Sequence, residues 1–273
     1  MKTLSLIILF VLIILSVYSF RKDKIKFNIF KSLTKSVDRQ KMIKKMTFES
    51  FLIYGLLGIL SLILIDQLTS LISMPDFLIE YSHYLRSFGS IQNEGSILMK
   101  ILKVVLVFLI PVILFVTLIL TLVMVYVNHK KGESEDQNNE TADLNHLLPR
   151  NGQERFWISI LSINAGFSEE LFFRLLLPSL IYNITGSALI SISFSSLWFG
   201  FAHYYQGLNG IISTTIAGFM LFYIYLLTQS LWITILVHII LDINGLVVAP
   251  LFKNLLEQKE KDKAERKKGL KEY

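Results

Sequence analysis

Asn164-Ala-Gly-Phe-Ser-Glu169-Glu170-Leu-Phe-Phe-Arg174-Leu-Leu-Leu-Pro178 sets two carboxylates and a guanidinium into a stretch otherwise suited to hydrocarbon. An ionisable side chain at membrane depth costs about 2.5–3.5 kcal/mol by insertion scales, so it normally faces a protein interior or a wet cavity and has a partner. Two further apolar segments each carry a histidine, His203 and His238, and the second also carries Asp242. Ionisable groups gathered on three neighbouring apolar segments mark a buried site.

The rest of the chain explains what surrounds that site. Of its 273 residues, 53% are hydrophobic, and they fall into runs too long for a soluble domain. Backbone groups in lipid must be satisfied within their own segment, so the runs read as helices. The expected fold class is all-α, a polytopic transmembrane helix bundle with about seven spanning helices. The apolar segments lie near 3–20, 48–65, 101–127, 156–182, 187–205, 208–227 and 230–252, most close to the ~20 residues a spanning helix needs. The first reads as a retained anchor, because Ser19-Phe20-Arg21 offers no small-x-small cleavage site.

Charge divides the chain further. Residues 1–127 form an N-terminal three-helix membrane region with a basic cytoplasmic loop at 21–47, and residues 128–154 form a polar linker. Residues 155–252 form a four-helix part that holds every suspicious side chain, and 253–273 form a charged tail. The loop at 21–47 carries ten cations against Asp23 and Asp38, whereas the stretch from Asp66 to Ser96 has Arg86 alone. Lys130, Lys131, Arg150 and Arg155 precede the fourth segment, and the tail is rich in lysine. Seven crossings put all the cation-bearing regions on one side, which the positive-inside rule makes cytoplasmic, with the N-terminus outside. The formal charge of +6 is therefore a matter of membrane orientation, not of nucleic-acid binding. The absence of cysteine excludes thiol catalysis, thiolate metal sites and disulfides.

Helical geometry separates the two glutamates. Glu170 lies one turn before Arg174 and can pair with it. Glu169 is about 100° around the helix, which leaves it the freer carboxylate and the better proton acceptor. Phe199 lies one turn before His203 on the same face, and His238 one turn before Asp242. A carboxylate with an imidazole can take a proton from water, and a second imidazole can donate to a developing oxyanion. Gly166-Phe-Ser168 lacks the second glycine of a nucleophile elbow, and there is no His-Glu-x-x-His motif. Two histidines and a carboxylate retain the option of holding a metal; a metal-free water activation is preferred, with no cofactor.

In order along the chain, Glu-Glu-x-x-x-Arg, Phe-x-x-x-His and His-x-x-x-Asp resemble the motifs of the CPBP family of intramembrane glutamic endopeptidases. That family includes CAAX proteases and the bacterial Abi proteins linked to bacteriocin processing and immunity. The resemblance covers roughly residues 155–250. It implies that Glu169 and His203 activate the hydrolytic water, and that His238 and Asp242 form the oxyanion site. Glu170 with Arg174 would orient the first pair, and Phe199 would belong to the same support. Well-understood members carry Asn where this chain has Asp242, and an ionised carboxylate would repel an oxyanion. Asp242 is then expected to be protonated or to orient His238.

The expected partners are the lipid bilayer and a membrane-associated peptide or protein substrate, in a bacterial cell membrane. A non-enzymatic reading stands beside this one: a bacteriocin-immunity or transport protein using the same buried charges as a relay. One geometric tension accompanies both. Glu169 lies about 20 Å along a helix begun at Phe156 at 1.5 Å per residue, whereas His203 ends its own segment. A later start near Ile160, a tilt, or a polar cavity would bring them together.

Overall fold

The computed structural model describes residues 1–89, 119, 123, 126, 127 and 148–269. Among these there is no strand. Helix α1 spans Lys2–Ser32, and α2 spans Ser36–Ser50. The latter continues without a break through a π-helical turn, π1 (Phe51–Leu56), into α3 (Leu57–Leu64). Helix α4 is Asp76–Gly89. After the undescribed stretch come α5 (Gly152–Glu170), the π turn π2 (Leu171–Leu176) and α6 (Leu177–Thr185), again one continuous rod. Helix α7 is Ala188–Ala202, α8 is Gly207–Thr228 and α9 is Leu231–Ile243, which passes through π3 (Asn244–Val248) into α10 (Ala249–Gly269). The expected segment at 101–127 and the linker up to residue 147 lie outside the described residues, apart from four positions.

Local chemistry sets these limits. Asn151, Ser187 and Ser230 cap α5, α7 and α9, each accepting a backbone N–H three residues on, as N-caps do. Gly186 ends α6 in the left-handed conformation at φ 69°, where a glycine has no Cβ penalty. Four described stretches are long and apolar enough to cross a membrane: Lys2–Ser32, Ser36–Leu64, Tyr204–Thr228 and Leu231–Lys259; Ala188–Ala202 is a shorter apolar helix. Ile7, Phe10, Val11 and Ile14 lie exposed along α1, as a lipid-facing surface requires. The protein is a multi-pass helical membrane bundle.

The stretch at 21–47 differs from the loop expected of it. Its cations sit on the last turns of α1 and on α2, joined by a short corner at Leu33–Lys35. Lysine and arginine are good helix formers, and here their charges find partners. Lys22 pairs with Glu49 at 2.9 Å, and Lys26 bridges Asp23 at 2.7 Å and Glu49 at 2.5 Å. Other cations lie over aromatic rings: Lys24 over Tyr204, Lys31 over Phe27 and Lys44 over Trp157.

The α1–α2 corner is tied to the start of α5. Arg150 Nη1 donates to the Leu33 and Thr34 carbonyls, and Asn151 Nδ2 donates to Ser36 Oγ at 2.6 Å. Beneath them Arg39 Nε meets Glu154 Oε2 at 3.1 Å with both side chains fully buried. Arg39 Nη2 also reaches the Leu148 carbonyl, and the Arg150 backbone N–H donates to Glu154 at 3.0 Å. Burial alone would push the Glu154 carboxyl up, but its hydrogen bonds, including those from the Arg150 N–H and Arg39, hold it below its usual range.

At the opposite end, Asn183 Nδ2 donates to Ser5 Oγ, and Phe77 of α4 stacks on Tyr182 at 4.3 Å. Ser82 of α4 donates to the Leu226 carbonyl. The α4 end thus holds the described part of the cation-poor stretch, and the corner end holds the cations of residues 21–47 and Arg150.

Candidate active site

The site begins with a glycine. A Cβ on Gly166 would run into Ile239 Cγ1 and crowd the Ile239 N–H and the Ile235 carbonyl, so only glycine lets α5 and α9 approach this closely. One turn along α5, this contact delivers Glu170 to His238. Glu170 Oε1 accepts from His238 Nδ1 at 2.7 Å, and Glu170 Oε2 lies 3.0 Å from Arg174 Nε. The expected i, i+4 ion pair is present, but Glu170 has a second partner that helix spacing does not reveal.

Arg174 sits in π2, fully buried, with its guanidinium 4.6 Å above the Phe199 ring. None of its three guanidinium nitrogens is aligned for a hydrogen bond with a described residue. The widened turn beside the glutamates follows the tendency of π turns to occur at functional sites.

Phe199 connects two more groups. Its carbonyl accepts from His203 Nδ1 at 2.9 Å, and its ring lies edge-on to His238 at 6.0 Å. Since a carbonyl only accepts, His203 carries a proton on Nδ1, and in the neutral ring Nε2 is then the lone pair. Gly200 packs where a Cβ would collide with Thr215 Oγ1, which holds α7 against α8 beside this turn.

A cavity of about 530 Å³ opens among these helices. Glu169, Phe199, His203, His238 and Asp242 all line it. Glu169 is half-buried and makes no hydrogen bond or ion pair with any described residue. Asp242 Oδ1 is 3.8 Å from His238 Nε2, too far for a hydrogen bond. The His238 ring is therefore fixed from the Nδ1 side by Glu170, and Asp242 stands near its other nitrogen. Glu170, expected to orient Glu169 and His203, directs its hydrogen bond to His238 instead. Among the described residues no three His, Asp or Glu side chains converge as a metal-ligand set.

Glu169 and His203 line one cavity. Helix α5 begins earlier than Phe156, not later, and its first turns stand beside the corner formed by α1 and α2. Ser168 is fully buried and donates to Asn164 Oδ1, so it faces away from the cavity that its neighbour Glu169 lines. Sequence reading missed Gly166, whose signal was a glycine one turn before Glu170. It also missed the walls supplied by α1, α2 and π1, which include Asp23, Lys26, Ile43 and Tyr54.

Residues 151–244 match the family model described as Type II CAAX prenyl endopeptidase Rce1-like. This segment is an Rce1-like domain. It contains Glu169, Glu170, Arg174, Phe199, His203, His238 and Asp242, and the four stretches of chain that surround the cavity on its α5, α7, α8 and α9 sides. No curated protein and no solved structure matches the chain. At the level of the family, this match supports a CAAX-type intramembrane endopeptidase.

Proposed function

We propose that the chain hydrolyses a peptide bond of a membrane-associated protein or peptide by water activated between Glu169 and His203, without a metal or other cofactor. The observation that carries this reading is the division of labour between adjacent glutamates. Glu170 is held by Arg174 and His238, while Glu169 faces a cavity large enough for water and has no partner among the described residues. A carboxylate left free in a cavity that an imidazole also lines is suited to accept a proton from water.

In this mechanism water oxygen attacks the scissile carbonyl carbon as Glu169 takes its proton. His238 donates from Nε2 to the oxyanion while its Nδ1–H remains on Glu170; it acts as an imidazolium, with Glu170 and Asp242 as counter-charges. Asp242 is a positioning residue whose charge is answered by that ring. Collapse of the tetrahedral intermediate breaks the C–N bond, and the proton held by Glu169 passes to the departing amine.

The cation distribution supports a cavity opening toward the cytoplasm, with the N-terminus outside and the tail inside a bacterial cell membrane. Peptidomics in H2¹⁸O tests the chemistry. New carboxyl termini that appear with the wild-type chain should carry ¹⁸O and be absent with Glu169→Gln or His203→Gln. Their persistence in Glu169→Gln would overturn the assignment. Cleavage that o-phenanthroline abolishes and added zinc restores would overturn the metal-free step.

A further inference from the structure

The α1 wall of the cavity lies outside the Rce1-like match, yet it carries charge. Asp23 and Lys26 both face the cavity, and they differ in how they do so. Lys26 is nearly buried and locked between the Asp23 and Glu49 carboxylates. Asp23 is 27% exposed, and both its oxygens are aimed: Lys26 Nζ donates to Oδ1 at 2.7 Å and Ser19 Oγ to Oδ2 at 3.1 Å. The charge that α1 presents to the cavity is thus an oriented carboxylate with lone pairs to spare. With Glu169 and Asp242, it makes three part-exposed acids around a cavity whose one lining lysine is already doubly paired.

The position of Asp23 along the cavity follows from two ties between α1 and the α5–α6 rod. The Arg150 side chain reaches the Leu33 carbonyl, and Asn183 reaches Ser5 Oγ. Interpolating between those ties puts Glu169 level with residues 17 and 18 of α1. Asp23 then lies about six residues, or roughly 9 Å, nearer the α1–α2 corner. That span is about three residues of an extended peptide at roughly 3.3 Å each.

We propose that Asp23, oriented by Ser19 and Lys26, is a recognition site in the cavity for a basic side chain of the substrate about three residues from the bond that is cut. This rests on the reading of the cavity as a peptide-hydrolysing site, and it assigns the substrate class to cationic peptides. A fixed carboxylate in a largely apolar cavity discriminates a lysine from an apolar residue of the same length, because its remaining lone pairs can accept from an ammonium and a norleucine side chain has nothing to donate to them.

Binding measures this without requiring turnover. The full chain is placed in nanodiscs of zwitterionic lipid and titrated with a dansylated leucine–alanine heptapeptide carrying one central lysine. Norleucine and glutamate counterparts serve as references. The lysine peptide should bind the wild-type chain about tenfold tighter than the norleucine peptide. Asp23→Asn should bring that ratio to about one, and Asp23→Lys should favour the glutamate peptide. Ser19→Ala keeps the Lys26 pairing and should lower the ratio about two- to threefold, so it decides the matter if the Asp23 variants fold poorly. Equal binding of the two peptides to wild type, a ratio that survives Asp23→Asn, or a ratio lost in Glu169→Gln but not in Asp23→Asn would each overturn the proposal. Peptidomics separates the two failures. A chain that prefers the lysine peptide but cuts nothing refutes the hydrolysis, whereas a chain that cuts without the preference refutes only this site.

Discussion

Two buried arginine–glutamate pairs among the described residues are built differently. Arg39–Glu154 joins α2 to the start of α5, and Arg174–Glu170 lies at the heart of the candidate active site. Each guanidinium rests on a phenylalanine ring, Phe30 at 4.1 Å and Phe199 at 4.6 Å. In the first pair Arg39 also reaches the Leu148 carbonyl, and Glu154 also accepts from the Arg150 N–H. In the second the arginine nitrogens lack aligned hydrogen bonds among the described residues, and the glutamate gives its better bond to His238. The first pair has more partners, as a strut would, though Glu154 Oε1 is left without a hydrogen bond among the described residues. The second accepts poorer geometry while holding a histidine ring in place, which is the pattern expected where chemistry, not stability, sets the arrangement.

Breaking either pair singly should have the largest effect on folding. Arg39→Ala takes the cation from the buried Glu154 carboxylate and should cost about 3–5 kcal/mol, read as a fall in membrane-inserted protein; Arg174→Ala takes one of the two partners of Glu170, His238 remaining, and should lower abundance less. Normal levels of Arg174→Ala would mean that His238 alone answers the Glu170 charge.

Replacing both partners sharpens the difference. Arg39→Met with Glu154→Leu should restore abundance and leave cleavage per folded molecule close to wild type, since apolar replacements of a buried pair are often neutral or better. Arg174→Met with Glu170→Leu should also restore abundance, but cleavage should stay about 10–100-fold down because His238 loses its acceptor. Equal recovery of cleavage in both double variants would make the second pair a strut like the first.

The fold was legible where the information was local. Apolar runs gave the helices, capping residues fall at their starts, and i, i+4 spacing paired Glu170 with Arg174. What escaped was set across the chain. His238 reads as the partner of Asp242 by spacing, but the close approach at Gly166 gives its Nδ1 to Glu170. The stretch at 21–47 reads as a loop because its charges argue against a span, yet those charges are paired between helices. Arg39 and Glu154 are 115 residues apart, and no periodicity links them.

A smaller effect should appear with pH at the strut. Glu154 lies before the apolar part of α5, and its carboxyl is held below its ordinary range despite the opposing effect of burial. A depressed folded value contributes stability that is present above the unfolded value, near ~4.3, and is lost as pH falls through the lower folded one. The melting temperature of the solubilised chain should therefore drop below about pH 4 by a component that Glu154→Gln lacks. An identical pH profile in the variant would remove Glu154 from that transition. Cysteine in place of Ala165 or Ala202, which line the cavity, should react with a membrane-impermeant thiol reagent from the cytoplasmic side; labelling only from outside would reverse the orientation.

The central claim is that neighbouring glutamates have different tasks, and one paired measurement tests it most directly. Abundance and the yield of new peptide termini are compared for Glu169→Gln and Glu170→Gln in the same cells. Glu169→Gln should keep wild-type abundance and lose about 10²–10⁴-fold in cleavage, the range that positioned proton transfer contributes. Glu170→Gln should lose abundance, because Arg174 is left buried without its counter-charge. Full cleavage by Glu169→Gln, with loss confined to a normally abundant Glu170→Gln, would reverse the roles and contradict the account.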